Sequence, residues 1–168
     1  MYAEELTRSV PEDFANGGLV DVVSAGGKYL GTGFFSARSK IAVRVLSDNA
    51  NERFGPDFWE RRVGYALDYR KRVMGEDFDN CRLIFGEADG FPGLTVDRFG
   101  PVLVAQVLCL GIDRIKDRVF AMLADLLENR GVRVEAIYER NDASLREREG
   151  MPQGKGFWRG NGDGHVII

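Results

Sequence analysis

Three carboxylates, Glu87, Asp89 and Asp97, stand close together in a glycine-punctuated block that runs from Gly86 to Gly100. Carboxylates clustered in this way can share a metal or an acid–base task. The glycines between them favour a different use, because acidic side chains in tight turns accept hydrogen bonds from nearby backbone N–H groups. An acid–base pair also needs a cleft and a partner that shifts its proton affinity, and the sequence names neither. The block is therefore read as a structural hairpin, with a small acid–base enzyme as the weaker alternative. Gly86, Gly90, Pro92 and Gly93 set its connection, after which Val96 and Asp97 point to opposite faces of a strand. Arg98, the next residue, cannot pair with Asp97 for the same reason. Arg140 is the expected partner by elimination.

Other candidates carry less. Tyr138-Glu139-Arg140-Asn141-Asp142 places charges at a strand end before a helix, where Asn141 or Asp142 serves as a cap. Cys81 and Cys109 lie singly in apolar segments, so they form neither a metal knuckle nor a redox pair and are read as buried small hydrophobes. His165 is the sole histidine, too little for a histidine-based metal site. Gly31-Thr32-Gly33 and Gly160 to Gly164 have the spacing of phosphate-binding loops, but no helix follows either of them, so no helix N-terminus is offered to a phosphate.

The elements that hold these residues follow from periodicity and turn chemistry. Leu19 to Val23, the turn Ser24 to Gly27 and Lys28 to Phe35 predict a hairpin, with Gly31 and Gly33 marking a bulge or a tight corner. Ile41, Val43 and Val45 predict a third strand with one mostly apolar face. A polar linker, Ser47 to Arg53, leads to Gly55-Pro56-Asp57, a helix start. Trp59, Val63, Ala66, Leu67 and Val73 recur at helical spacing and predict the inner face of that helix. Its outer face carries Arg61, Tyr65, Tyr69 and Arg72, a basic and aromatic stripe able either to lie on RNA or to cover the core edge with stems and rings. A meander over Cys81 to Phe85, Leu94 to Phe99 and Val102 to Cys109 follows. Next come a helix from Ile115 that stops near Gly131, a strand over Val134 to Tyr138 and a short helix over Ser144 to Glu149 with a Ser144/Glu147 capping box. Beyond Gly150 periodicity is lost.

The chain has 168 residues, 44% hydrophobic and 29% charged, a composition of globular proteins with room for one domain or two small ones. No apolar run reaches the ~20 residues of a membrane-spanning helix, and no secretory signal opens the chain, so a cytoplasmic protein is expected. The net charge of −3 argues against indiscriminate coating of nucleic acid. Any RNA contact must be local.

The run Phe85 to Gly100, with Tyr138-Glu139-Arg140-Asn141-Asp142 and Arg146-Glu147-Arg148-Glu149-Gly150, resembles the bacterial PUA-domain rRNA methyltransferases that modify carbon 5 of cytosine in large-subunit rRNA. Upstream, Gly18 to Val23, Gly27 to Gly33 and Ser39 to Leu46 are similar to the end of that family's PUA domain. The resemblance implies an α+β fold: a truncated, small PUA-like β-barrel over residues 1–48, then a central α+β domain over 49–168 with an antiparallel-rich sheet and two main helices. Family members begin with further strands and continue into a Rossmann-like domain holding S-adenosylmethionine (SAM) and a catalytic cysteine in a Pro-Cys context. Cys81 follows Asn80 and Cys109 follows Leu108, so no catalytic or cofactor-binding residue is assigned, no metal is expected, and SAM belongs to the full-length protein.

The expected role is to bind and position ribosomal RNA for a catalytic domain absent from this sequence, the fragment alone being inactive. The alternative is a stand-alone RNA-binding or ribosome-associated module. RNA contacts are expected from Lys28, Arg38, Lys40 and Arg44, with Arg44 turned outward between Val43 and Val45, and from Arg61 and Tyr65 on the helix stripe. Neither DNA nor a membrane is expected as a partner. The oligomeric state, a homodimer included, is left open.

Overall fold

The computed structural model describes residues 1–7, 10 and 14–162. His165 and the end of the last glycine-rich stretch lie outside them. Leu19–Val23 (β1), Tyr29–Phe35 (β2) and Val43–Ser47 (β3) form an antiparallel sheet in the order β1-β2-β3. The hairpin turn is closed by the Ser24 N–H donating to the Lys28 carbonyl at 2.8 Å. The register shifts between Val22 and Val23 and between Thr32 and Gly33, the irregularity that glycines in a strand permit. β3 starts at Val43 instead of Ile41, because the Ile41 N–H is taken by Ser39 Oγ at 3.2 Å. Its faces are mixed: Val43 and Leu46 are buried and Val45 is exposed.

The polar linker leads to Pro56–Met74 (α1), with Gly55 as N-cap and Pro56 in its first turn as its sequence requires. Phe58, Trp59, Val63, Ala66 and Leu67 are buried, whereas Val73, expected inside, is exposed in the last turn. Asn80–Phe85 (β4), Leu94–Phe99 (β5) and Val102–Val107 (β6) form the expected meander. Leu110–Asp113 (α2) and Lys116–Glu128 (α3) then carry the chain across to Ala136–Asn141 (β7), which runs parallel to β6. Leu145–Arg148 (α4) follows, with no side-chain cap from Ser144, so the expected capping box is not made.

Gly154–Arg159 (β8) then pairs antiparallel with β7, in a region where periodicity had predicted no element. Its pairing rests on backbone bonds and on two aromatic contacts, Phe157 on Tyr138 and Trp158 on Phe120, with centroids 4.9 and 5.6 Å apart. Two glycines and Lys155 dilute the pattern that a strand ordinarily shows. The second sheet is thus ordered β4-β5-β6-β7-β8.

α1 packs on β4 and α3. One apolar core joins both sheets: Phe34 and Leu46 from the first pack with Trp59, Phe91, Leu94 and Ile112 around the second. The Phe34 and Trp59 rings stack 2° from parallel at 6.1 Å. The architecture is α+β, a small antiparallel sheet beside a mixed sheet with two main helices. No helix among the described residues is long and apolar enough to cross a membrane.

Candidate nucleic-acid interface

The carboxylates of the glycine-rich block are each paired with another group of the protein. Asp89 Oδ2 accepts from Arg70 Nη2 at 2.6 Å and from the Phe85 N–H at 2.7 Å, so it closes the β4–β5 connection. Glu87 meets Arg44 Nη1 at 3.0 Å. Asp97 accepts two bonds from Arg82, at 2.8 and 3.0 Å, across the β4–β5 pair. The expected Asp97–Arg140 pair is therefore not formed. Asp97 lies opposite Arg82 in the ladder, while Arg140 sits two strands away on β7 with Asp142 at 3.7 Å. Arg98 is buried and held by the Phe78 and Gly100 carbonyls and Asp79. No group of three metal-ligating side chains occurs among the described residues.

Asn141 is not a helix cap. It is buried at the end of β7, where its Oδ1 accepts from the Val107 N–H at 2.8 Å and its Nδ2 donates to Glu139 at 2.7 Å. Glu139 also binds Lys116 at 2.7 Å, and the buried Arg146 donates to the Val107 and Pro152 carbonyls. The network ties the carboxyl ends of the parallel strands to α4. Both thiols are buried, and burial pushes Cys81 and Cys109 above the ordinary thiol range, the reverse of what a nucleophile needs.

The four cations of the first sheet and its connections expected to contact RNA do not form one surface, and among the described residues that sheet is an open three-stranded one and not a barrel. Lys28 sits at the β1–β2 turn, whereas Arg38 and Lys40 lie in the β2–β3 connection at the other end of β2. A seven-residue strand separates them by on the order of 20 Å. These three are exposed. Arg44 is not: its side chain is 13% exposed and reaches Glu87 and Glu149, the latter at 3.5 Å and itself 3% exposed. The strand face that carries Arg44 is covered by the second sheet's connections, so the reading of a free outward head is corrected. Arg44 joins the two sheets.

On α1 the outer stripe leaves its rings uncovered. Tyr65 is 65% exposed and Tyr69 57%, and together with Phe85 at the end of β4, 54% exposed, they line a surface groove of about 690 Å³. The groove floor is built. Arg62 donates to the Gly90 carbonyl at 2.7 Å and to the Leu46 carbonyl at 2.6 Å, under the Phe58 ring. Gly90 has φ +74°, a conformation that favours glycine, and a Cβ there would stand 1.9 Å from Arg62 Nη1 and push that guanidinium aside. Burial lowers the proton affinity of Arg62 below the usual guanidinium value. Arg61 is half-exposed on the rim with Glu52 at 2.9 Å. Arg70 lies over Tyr69 and Arg82 over Phe85, at 4.9 and 5.2 Å from the ring centroids. Sequence reading found Arg61, Tyr65 and Tyr69 but missed Arg62, Arg70 and Phe85. The signal for the two arginines was helical: they sit one turn either side of Ala66.

Comparison with known proteins gives this arrangement a context. Residues 1–48 match the model of a PUA-like domain. Over 145 residues the chain is 37% identical to the "Ribosomal RNA large subunit methyltransferase I" of Shewanella amazonensis, covering 86% of this chain and 35% of that protein. Proteins of the same name from Klebsiella pneumoniae and Escherichia coli O157:H7 are each 36% identical, over 84% and 86% of this chain and 34% and 35% of their own lengths. The chain thus spans about a third of the curated relatives it matches. Among solved structures, a candidate SAM-dependent methyltransferase from Streptococcus mutans superposes with a TM-score of 0.70 at 18% identity, covering 90% of this chain and 37% of that one. A second candidate methyltransferase, complexed with SAH, gives 0.65 at 20% identity, covering 77% and 33%. These two likenesses concern the fold.

One strand-to-helix turn is filled by the protein's own side chains. The turn from β6 into α2, beside the parallel β7, has the strand-to-helix form that cradles an adenosyl cofactor in open α/β sheets. Here the Phe34 ring lies against Gly111 so closely that a Cβ would stand 2.1 Å from it, and Cys109 and Ile112 are buried alongside.

Proposed function

We propose that this chain binds ribosomal RNA and positions it for SAM-dependent methylation of cytosine carbon 5, the transfer being carried out by a domain outside residues 1–168. The observation that carries the reading is the 36–38% identity, over most of this chain, to proteins named large-subunit rRNA methyltransferases, of which it matches only about a third. The division into a PUA-like unit at 1–48 and a central unit at 49–168 belongs to the same proposal. Lys28, Arg38 and Lys40 supply exposed cations to phosphate, and Arg61 and Tyr65 supply a second surface on α1. Phosphate contacts of this kind set register and orientation and leave chemistry to the catalytic unit. Soluble, cytoplasmic action on RNA, without DNA as a partner, completes the reading.

The test is fluorescence anisotropy with labelled large-subunit rRNA fragments over a range of salt. Saturable binding that weakens with salt is expected, and it should weaken further in Arg38→Glu/Lys40→Glu, with a shallower salt dependence. A chain that binds none of the fragments would overturn the proposal. Calorimetric titration with SAM should give no heat of binding, and micromolar binding would contradict placing the cofactor elsewhere.

A further inference from the structure

We infer that the groove between α1 and the end of β4 is a stacking site for unpaired nucleotides of the RNA, an inference that rests on the RNA-binding reading above. Three aromatic rings more than half exposed around one groove are unusual, because buried area is what normally rewards an aromatic side chain. A groove of about 690 Å³ lies within the ~300–1,000 Å³ typical of sites that enclose a small ligand. The rings are presented from rigid elements. Tyr65 and Tyr69 are one helical turn apart on α1, and Phe85 ends a strand whose neighbours Leu83 and Ile84 are fully buried. Arg70, lying over the Tyr69 ring, is itself fixed by Asp89 and the Arg82 carbonyl.

The charge pattern selects the occupant. Glu52 and Asp89, the groove's two carboxylates, are each paired with an arginine, and Arg62 on the floor donates only to carbonyls, which leaves a positive balance under the rings. Aromatic faces beside cations accept bases of any identity and tolerate the phosphates that join them. A base-paired helix hides its base faces and cannot use the rings. The groove therefore reads single-strandedness, and its main contribution is stacking, with little salt dependence of its own. The exposed cations at the ends of β2 supply the salt-dependent part.

The experiment uses the full chain with two labelled RNAs of equal length, a hairpin with an unpaired loop and a continuous duplex, titrated against the natural protein, Tyr65→Ala/Tyr69→Ala and Tyr65→Phe/Tyr69→Phe. Both tyrosines are solvent-facing, so the variants are expected to fold, and unchanged melting curves check this. The alanine pair should bind the loop RNA about tenfold or more weakly, with the duplex and the salt slope little changed. The phenylalanine pair should bind the loop RNA as the natural protein does. If the natural protein binds the loop RNA and the alanine pair binds it equally well, the stacking site is overturned while the RNA-binding reading stands. If the natural protein binds neither RNA, both fall.

Discussion

The glycine-rich block from Gly86 to Gly100 and the outer stripe of α1 lie side by side, yet they handle their polar and aromatic groups in opposite ways. In the block, Glu87, Asp89, Asp97 and Arg98 each end on a partner within the protein. On the stripe, Tyr65 and Tyr69 present more than half their surface to solvent. Density of charged residues in the sequence therefore pointed to scaffold, and a thin line of tyrosines pointed to a surface with unused capacity. Buried ions need partners because desolvation is costly, whereas a ring held in solvent by a rigid helix is free to bind.

The comparison breaks or sharpens under substitution. The largest effect is expected from Arg44→Ala, which leaves Glu149 buried and uncompensated between the two sheets. A loss of ~3–5 kcal/mol is expected, read as a large drop in melting temperature or denaturant midpoint. Next comes Asp89→Ala, which removes the partner of Arg70 and of the Phe85 N–H in a pair only 11% exposed on each side. Unfolding measurements should show ~2–3 kcal/mol, and this variant should also loosen Phe85 and weaken loop-RNA binding. Asp97→Ala breaks a bidentate pair that is 44% and 31% exposed, so its cost should stay near ~1 kcal/mol or less. Arg140→Ala should cost almost nothing and show no coupling to Asp97 in a double-mutant cycle, since the two sit on strands separated by β6. Strong coupling there would restore the pairing read from the sequence.

The smallest effect concerns pH. Cys109 keeps its proton in the folded state at pH values where the unfolded thiol has lost it. Its contribution is fully present below the unfolded thiol's range and is lost as pH rises from there through the raised range of the folded thiol. Alkaline denaturation midpoints should show this loss, and it should be smaller in Cys109→Ala.

The fold was legible where one physical rule dominated. The helix start at Gly55-Pro56, the hairpin turn at Ser24 to Gly27 and the meander punctuated by glycines follow from local chemistry, and they stand where expected. β8 was illegible because an edge strand held by backbone bonds and two rings needs no alternating pattern. Arg44, read as an outward head within a strand, and Asn141, read as a helix cap, misled for a shared reason: only the packing of distant elements buries each. The Asp97 partner was missed by searching for a later element when the ladder itself set Arg82 opposite. For the candidate interface, helical spacing revealed the tyrosines. Phe85 joined them only once β4 was laid beside α1.

The central claim, that RNA lies on the exposed rings and cations while the acidic block is scaffold, is tested most directly by photo-crosslinking the chain to rRNA fragments containing 4-thiouridine and mapping the modified peptides by mass spectrometry. Crosslinks should fall on the α1 peptide containing Tyr65 and Tyr69 and on the β2–β3 connection containing Arg38 and Lys40. Crosslinks confined to Gly93 to Gly100, with α1 unmodified, would contradict it.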